Sequence, residues 1–215
     1  MGDIKGKAER YLNIGSIHLV WNDYDEVLKK YKQALEIKEQ IGDLAGQAHT
    51  LRKIGTIYHS QNNLEEAYKW YTESLKLFEE IERSQGKCDC YESLGKLNKD
   101  QGDYSKALTR YQQSLKIAEE YDDLERKGYL LNELGSIYQI RGIYKDALKN
   151  FKHALDTFNQ TGDLIGKTYS LNRIGQVYQD QGNYDEALSW YDRSIKFFKF
   201  LGESEEKSKA YITPR

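Results

Sequence analysis

The sequence predicts an all-α protein, an α-solenoid of stacked helix pairs, and three observations carry that expectation. Glycine recurs every 40 residues, at Gly15, Gly55, Gly95, Gly135 and Gly175, each preceded by Ile14, Ile54, Leu94, Leu134 or Ile174. Within each repeat, two runs of apolar residues at helical spacing are separated by a short polar break. The single proline, Pro214, lies at the very end of the 215 residues, and what precedes it is rich in Leu, Ala, Lys, Glu and Gln. Hydrophobic residues make up 39% of the chain, below the roughly 45–50% of ordinary globular domains. An elongated array with much surface per residue has that balance.

The first run of repeat one places Ala8, Tyr11, Ile14, Gly15 and His18 on one stripe. The break Asn22-Asp23 follows, and its counterparts Gln61-Asn62-Asn63, Gln101-Gly102-Asp103 and Gln181-Gly182-Asn183 supply turn residues and an Asp or Asn to cap the next helix. The second run carries Tyr24, Val27, Leu28, Tyr31, Ala34 and Leu35 at i, i+3, i+4, i+7, i+10 and i+11. It closes at Gly42-Asp43, a left-handed glycine followed by a cap, punctuation repeated at Gly162-Asp163. Glu82-Arg83 and Asp122-Asp123, flanking repeat three, depart from it. First helices are expected near 6–21, 44–61, 84–100, 124–141 and 164–181, and second helices near 24–41, 64–81, 104–121, 144–161 and 184–201. The repeated glycine is expected to admit a neighbouring backbone, with Ala67, Ala107, Ala147 and Ala187 as the facing small residues.

The pattern Tyr11…Ile14-Gly15…His18…Val27…Tyr31…Ala34, sharpest in Leu171…Ile174-Gly175…Tyr178…Ala187…Tyr191…Ser194, resembles the tetratricopeptide repeat. Its 40-residue spacing is similar to a subclass found in animal spindle-orientation adaptors with GoLoco motifs and in bacterial and archaeal regulatory proteins; kinesin light chain repeats are a looser match. The resemblance implies a right-handed superhelix of five helix-turn-helix repeats, about 4–43, 44–83, 84–123, 124–163 and 164–203. A short C-terminal capping helix is expected over about 204–212.

Little in the chain suggests chemistry. The net charge is −2, so nucleic acid and acidic membranes are not expected partners. Two cysteines, Cys88 and Cys90, exclude a disulfide-stapled secreted scaffold and stand two apart on a helix, facing different ways. No signal core opens the chain, and no run of about 18 apolar residues would cross a membrane, so a cytoplasmic location is expected. Gly2 lacks the Ser or Thr at position 6 of a myristoylation signal, and Asn159-Gln160-Thr161 matches a glycosylation acceptor without a secretory route. No nucleotide-binding, hydrolase or metalloprotease motif occurs. His18 occupies the place of Tyr58, Tyr138 and Tyr178, a packing position, and His49 and His59 stand too far apart to clasp one ion. The tyrosines recur at buried phases and read as core rather than as stacking platforms. No catalysis, cofactor or metal is expected.

What remains is the face of each first helix opposite its packing stripe. In the family this face lines a concave groove that binds an extended or helical peptide, and the resemblance carries that role onto Leu12, Asn13, Ser16, His49, Arg52, Lys53, Thr56, Glu92, Lys96, Lys99, Tyr129, Asn132, Glu133, Tyr169, Asn172, Arg173 and Gln176. The full face has basic residues (Arg52, Lys53, Lys96, Lys99, Arg173) in near balance with acidic ones (Glu9, Asp89, Glu92, Asp100, Glu133, Asp180). A mixed lining suits hydrogen bonding to a peptide in a defined register. The carboxylate-gripping set of the chaperone-binding members is matched only at Asn13; Lys53, Asp89 and Ser93 stand at its other positions. The expected function is a non-catalytic scaffold or adaptor for a protein or peptide partner. Two alternatives are an end-to-end self-associating module, with a homodimer through the uncapped N-terminal end (Leu12, Leu19, Val20, Trp21), and a peptide-sensing regulatory domain.

Overall fold

The computed structural model describes residues 3–197, which form helices joined by turns, with no strand among the described residues. The helices are α1 (Ile4–Val20), α2 (Tyr24–Gln40), α3 (Leu44–Ser60), α4 (Leu64–Glu80), α5 (Ser84–Asp100), α6 (Tyr104–Glu120), α7 (Leu124–Ile140), α8 (Tyr144–Thr161) and α9 (Leu164–Asp180). A tenth, α10, covers residues 184–197. The expected capping helix at about 204–212 lies outside the described residues.

Local chemistry explains the punctuation. Asp43 accepts the Gly46 N–H at 2.9 Å, Asp123 that of Arg126 at 3.1 Å and Asp163 that of Gly166 at 2.9 Å, so three helices begin on a side-chain cap. Helix α1 starts at Ile4, two residues earlier than expected, because Asp3 accepts the Gly6 N–H at 2.7 Å. Every turn between described helices contains one left-handed residue: Gly42, Gly102, Gly142, Gly162 and Gly182, but also Asn22, Asn62, Glu82 and Asp122. The turn before α5 follows from the departure in sequence, since Glu82 is held at φ 53° and Arg83 makes no side-chain cap.

The chain divides into two compact units, Met1–Ile117 and Ala118–Arg215. In the first, α1 packs on α2, α2 on α3, α3 on α4 and α4 on α5; in the second, α7 packs on α8 and α8 on α9. First helices of successive pairs also touch, α3 with α5 and α7 with α9. The core follows the predicted phases. Val27, Ala67, Ala107 and Ala147 are fully buried, as are Ile54, Leu94 and Ile174 with their neighbours Ile57, Leu97 and Val177. Their burial against the adjoining helices is the main stabilising term of each unit.

The repeated glycine meets an aromatic ring in addition to the neighbouring backbone expected. A Cβ on Gly55 would stand 2.7 Å from Cδ1 of Tyr71, and one on Gly135 would stand 2.7 Å from Cε1 of Phe151. An aromatic ring from the second helix, sixteen residues on, fills the notch that each glycine leaves. At Gly55 the expected neighbour is present as well, the backbone carbonyl oxygen of Ala67 standing 3.3 Å from the same Cβ position. Cys88 and Cys90 are both buried, on Ser114 (Sγ to Oγ 2.9 Å) and Ser74 (3.2 Å) respectively. Burial pushes the Cys90 thiol up to about 11, which keeps it protonated and unreactive.

Candidate functional site

In the first unit the inner side chains of α3 and α5 enclose an open groove of about 370 Å³. Arg52, Thr56, His59 and Ser60 line it from α3, and Ser93, Lys96 and Asp100 from α5. Its floor is Tyr71 of α4, whose hydroxyl donates to Thr56 Oγ1 at 3.3 Å. Desolvation pushes that phenol above its ordinary range, so it remains a donor across physiological pH.

Two side-chain contacts tie the walls together. Arg52 approaches Asp89 at 3.6 Å, and His59 Nε2 meets Asp100 at 2.9 Å. The guanidinium is not fully used, since Arg52 Nε is buried with no acceptor. Lys96 projects into solvent at the rim, with no partner among the described residues. Lys53, exposed beside it in sequence phase, lies 5.8 Å from the centroid of the Tyr31 ring. His49 stands edge-on to Phe78 at 4.8 Å. Glu92 turns towards α6, where Ser114 Oγ donates to it at 3.2 Å, and Lys99 is half-buried. On α1, Asn13 and Ser16 are exposed, Ser16 Oγ donating to the Leu12 carbonyl at 3.0 Å.

In the second unit the corresponding positions close on one another. Ser170 Oγ donates to Asn132 Oδ1 at 3.1 Å, and Arg173 donates through one terminal nitrogen to Ser136 Oγ at 2.7 Å and through the other to Gln176 Oε1 at 2.9 Å. Gln139 Nε2 donates to Asp180 at 2.6 Å, and the Tyr129 hydroxyl to Asp163 Oδ2 at 3.0 Å. Arg173 also stacks 5.3 Å from the Tyr169 ring. Tyr129, Tyr169, Asn172 and Gln176 keep an exposed face, and Glu133 is half-buried.

Of the residues assigned to the groove from the sequence, Arg52, Thr56 and Lys96 line it, and two others are buried away from any open face. Leu12 is buried in a cluster with Ala34, Leu35 and Leu51, because an apolar chain at that phase lies down against its neighbours rather than facing water. Asn132 is buried under Ser170 and Arg173 of α9, and its Nδ2 has no partner. Conversely, the sequence reading placed Tyr71 wholly in the core. Only its hydroxyl, fifteen residues beyond Thr56 and meeting it in space, signals a place on the groove floor.

Among the described residues no group of three or more His, Cys, Asp or Glu side chains could hold a metal ion, and no helix is long and apolar enough to cross a membrane. No curated protein is significantly similar in sequence. Solved structures of similar fold include BtubC (BKLC) from P. vanneervenii, 17% identical with a TM-score of 0.84, over 93% of this chain and 82% of that one. Aspartyl phosphate phosphatase F from Bacillus subtilis is 18% identical with a TM-score of 0.83, over 91% and 51%. A Rap protein complexed with Competence and Sporulation Factor is 21% identical with a TM-score of 0.73, over 89% and 54%. The chain therefore spans about half the length of the last two, and at these identities the likeness is one of fold. Tetratricopeptide repeat family models match residues 8–41, 42–120 and 128–202. With helix pairs, notch glycines and inner first-helix faces all at the repeat phase, the chain belongs to the tetratricopeptide repeat family.

Proposed function

We propose that the chain is a non-catalytic cytoplasmic adaptor that holds a peptide segment of a partner protein in the groove between α3 and α5. The observation that carries this reading is the partly exposed Arg52 guanidinium, which meets Asp89 only at 3.6 Å, on a groove furnished with hydroxyls and a free lysine. A carboxylate or backbone carbonyl supplied by a ligand would give that guanidinium a charge-assisted hydrogen bond. Lys96 at the rim adds a second positive charge, so the ligand is an extended segment with an acidic side chain, its backbone meeting Thr56, Ser60 and Ser93.

A family whose fold serves protein–protein interaction, and a similarly folded Rap protein with a factor bound, support the reading. The resemblance of the 40-residue spacing to spindle-orientation adaptors favours an adaptor over an enzyme. Nucleic acid is not a partner in this reading, because the net charge is −2 and the groove carries acids among its bases.

Selection from a displayed random-peptide library tests the assignment. Wild type is expected to enrich sequences carrying Asp or Glu, and Arg52→Ala/Lys96→Ala to lose them while keeping its helicity. Peptides that bind the double variant as well as wild type would move the site elsewhere.

A further inference from the structure

Among the described residues, Lys38 of α2 is the only charged one that is buried. Elsewhere the repeat puts an apolar side chain at this phase: Phe78 on α4, Ala118 on α6 and Phe158 on α8, all buried. The glycine opposite is shared too. A Cβ on Gly166 would stand 2.5 Å from Cε1 of Phe158, and one on Gly46 would stand 2.9 Å from Cδ of Lys38. The lysine stem therefore lies where the other repeats place a ring. Its backbone is gripped from α3, where Gln47 Nε2 donates to the Lys38 carbonyl at 3.1 Å.

A stem fixed in this way delivers its ammonium to α1, where Lys38 Nζ donates to Glu9 Oε1 at 2.8 Å. The two partners are unequally placed. The Lys38 side chain is 6% exposed and that of Glu9 is 53% exposed. Glu9 can swing into water, but the ammonium cannot follow it, and a buried charge left without a partner is strongly unfavourable. Nor does the fold need the pair, since apolar side chains of similar volume often serve as well as a buried ion pair, and Phe serves here in two other repeats. Two more cations stand near. Besides its burial, the His49 imidazole of α3 feels the charges of Arg52, Lys38 and Lys53, with Asp89 opposing. A fixed cation behind a movable carboxylate, with further cations beside it, is furnished for an anion.

We infer that Lys38 anchors a second binding subsite, which takes an acidic side chain of an extended protein segment in exchange for Glu9. Glu9 itself defines the chemistry of the ligand: a side-chain carboxylate within 2.8 Å of Nζ. The exchange replaces one charge-assisted hydrogen bond with another. Glu9 therefore competes with the segment, and the apparent affinity is reduced by the fraction of time for which the internal pair is open. The subsite lies towards α1, apart from the groove between α3 and α5, and it does not rest on the roles given to Arg52 and Lys96 there.

Titration calorimetry of the full chain with three peptides tests it: alternating Glu and Ser capped at both ends, alternating Gln and Ser capped at both ends, and the Gln peptide with a free C-terminal carboxylate. Glu9→Gln is expected to bind the Glu peptide about tenfold more tightly than wild type, as for an internal pair that is open about one-tenth of the time. Glu9→Gln/Lys38→Met is expected to lose that gain, and neither Gln peptide is expected to show it. An unbranched apolar chain suits a position that other repeats give to Phe, so Lys38→Met keeps the fold, which circular dichroism checks; Lys38→Phe makes the same comparison should methionine disturb the helix pair. An equal gain in the Lys38→Met background would overturn the inference, because removing one negative charge from the inner face would then explain it. An unchanged affinity in Glu9→Gln, or no binding to it up to about 1 mM, would overturn it as well. A gain seen only with the free C-terminal carboxylate would give the subsite to a chain terminus instead of an acidic side chain. The same comparison in Arg52→Ala/Lys96→Ala is expected to show the same gain, which separates this subsite from the fate of the groove.

Discussion

The inner faces of the two units occupy the same repeat phases and reach opposite outcomes. In the first, α3 and α5 are joined by Arg52 with Asp89 and by the His59 imidazole with Asp100, and a groove stays open between them. In the second, α7 and α9 are joined by amides, hydroxyls, one guanidinium and the Asp180 carboxylate that Gln139 meets, and Asn132 and Ser136 disappear beneath the bridge. Long charged side chains hold helices together from their tips and leave space beneath. Short neutral groups bond only when their helices close on them. Whether a groove stays open in this protein is thus a choice of side chain on a common backbone rather than a property of the repeat.

Removing one arginine from each unit would break the comparison if it is wrong. Arg173→Ala strips Ser136 of its donor, frees Gln176 and unstacks Tyr169, and is expected to lower the local stability of α7 and α9 by about 1–2 kcal/mol. Arg52→Ala removes a partly exposed pair at 3.6 Å and is expected to cost no more than about 1 kcal/mol in α3 and α5. Amide hydrogen exchange resolved by helix reads both, since a repeat array does not unfold as one two-state body. Equal protection losses in the two units would show that the bridges are equivalent after all.

The fold was legible because its signals are periodic. A glycine after Ile or Leu every 40 residues, with caps at fixed offsets, specifies the helix pairs without reference to anything distant. The site was only half legible. Phase along one helix says which side a residue faces, but not how near the next helix lies. Asn132 was read as groove-facing and is covered by Ser170, 38 residues further on. Tyr71 was read as core from its phase, and its ring is, while its hydroxyl emerges on the groove floor. Ile14 and Ile54 share one sequence signature, yet Ile14 is half-exposed while Ile54 is buried against α2 residues Leu28 and Leu35. The glycine notch shows the same limit: small residues announce a close approach, and the ring that makes it lies on another element.

The turns sharpen the contrast at a smaller scale. The second unit enters α9 through Gly162 at φ 75° and Asp163, which caps two backbone N–H groups. The first enters α5 through Glu82 at φ 53° and Arg83, which caps none. A side chain in the left-handed region costs roughly 1 kcal/mol or somewhat more relative to glycine, and a lost Asp cap typically costs about 1 kcal/mol. Glu82→Gly/Arg83→Asp is expected to raise protection of α4 and α5 by about 1 kcal/mol, because each gain is only partly additive at adjacent positions. The groove-lining residues of α5 do not change, so peptide binding should be unaffected; a stabilised variant that binds more tightly would show that fraying of α5 limits the open face.

The smallest expected effect is one of pH. His49 and Tyr129 hold the same phase and do the same packing, the imidazole edge-on to Phe78 at 4.8 Å and the phenol edge-on to Phe158 at 5.1 Å. They differ in what they titrate. Burial against Phe78, reinforced by the neighbouring Arg52, holds the imidazole below its ordinary value of 6.5, with Asp89 opposing. The unfolded chain therefore binds a proton at this site more readily than the folded one, so stability is full above about pH 6.5 and falls as the pH drops through the imidazole range towards the folded value. The phenol of Tyr129 is displaced the other way by burial and by Asp163, far above any physiological pH, and contributes no such slope. His49→Tyr would give the first unit the second unit's contact. It is expected to keep the edge-on packing and to remove the part of the acid-side loss of protection in α3 and α4 that arises at this residue. If exchange measured at pH 5 and pH 7 shows the same loss in the variant as in wild type, the slope does not arise at His49, and the ring at this phase does not set the pH response of the first unit apart from that of the second.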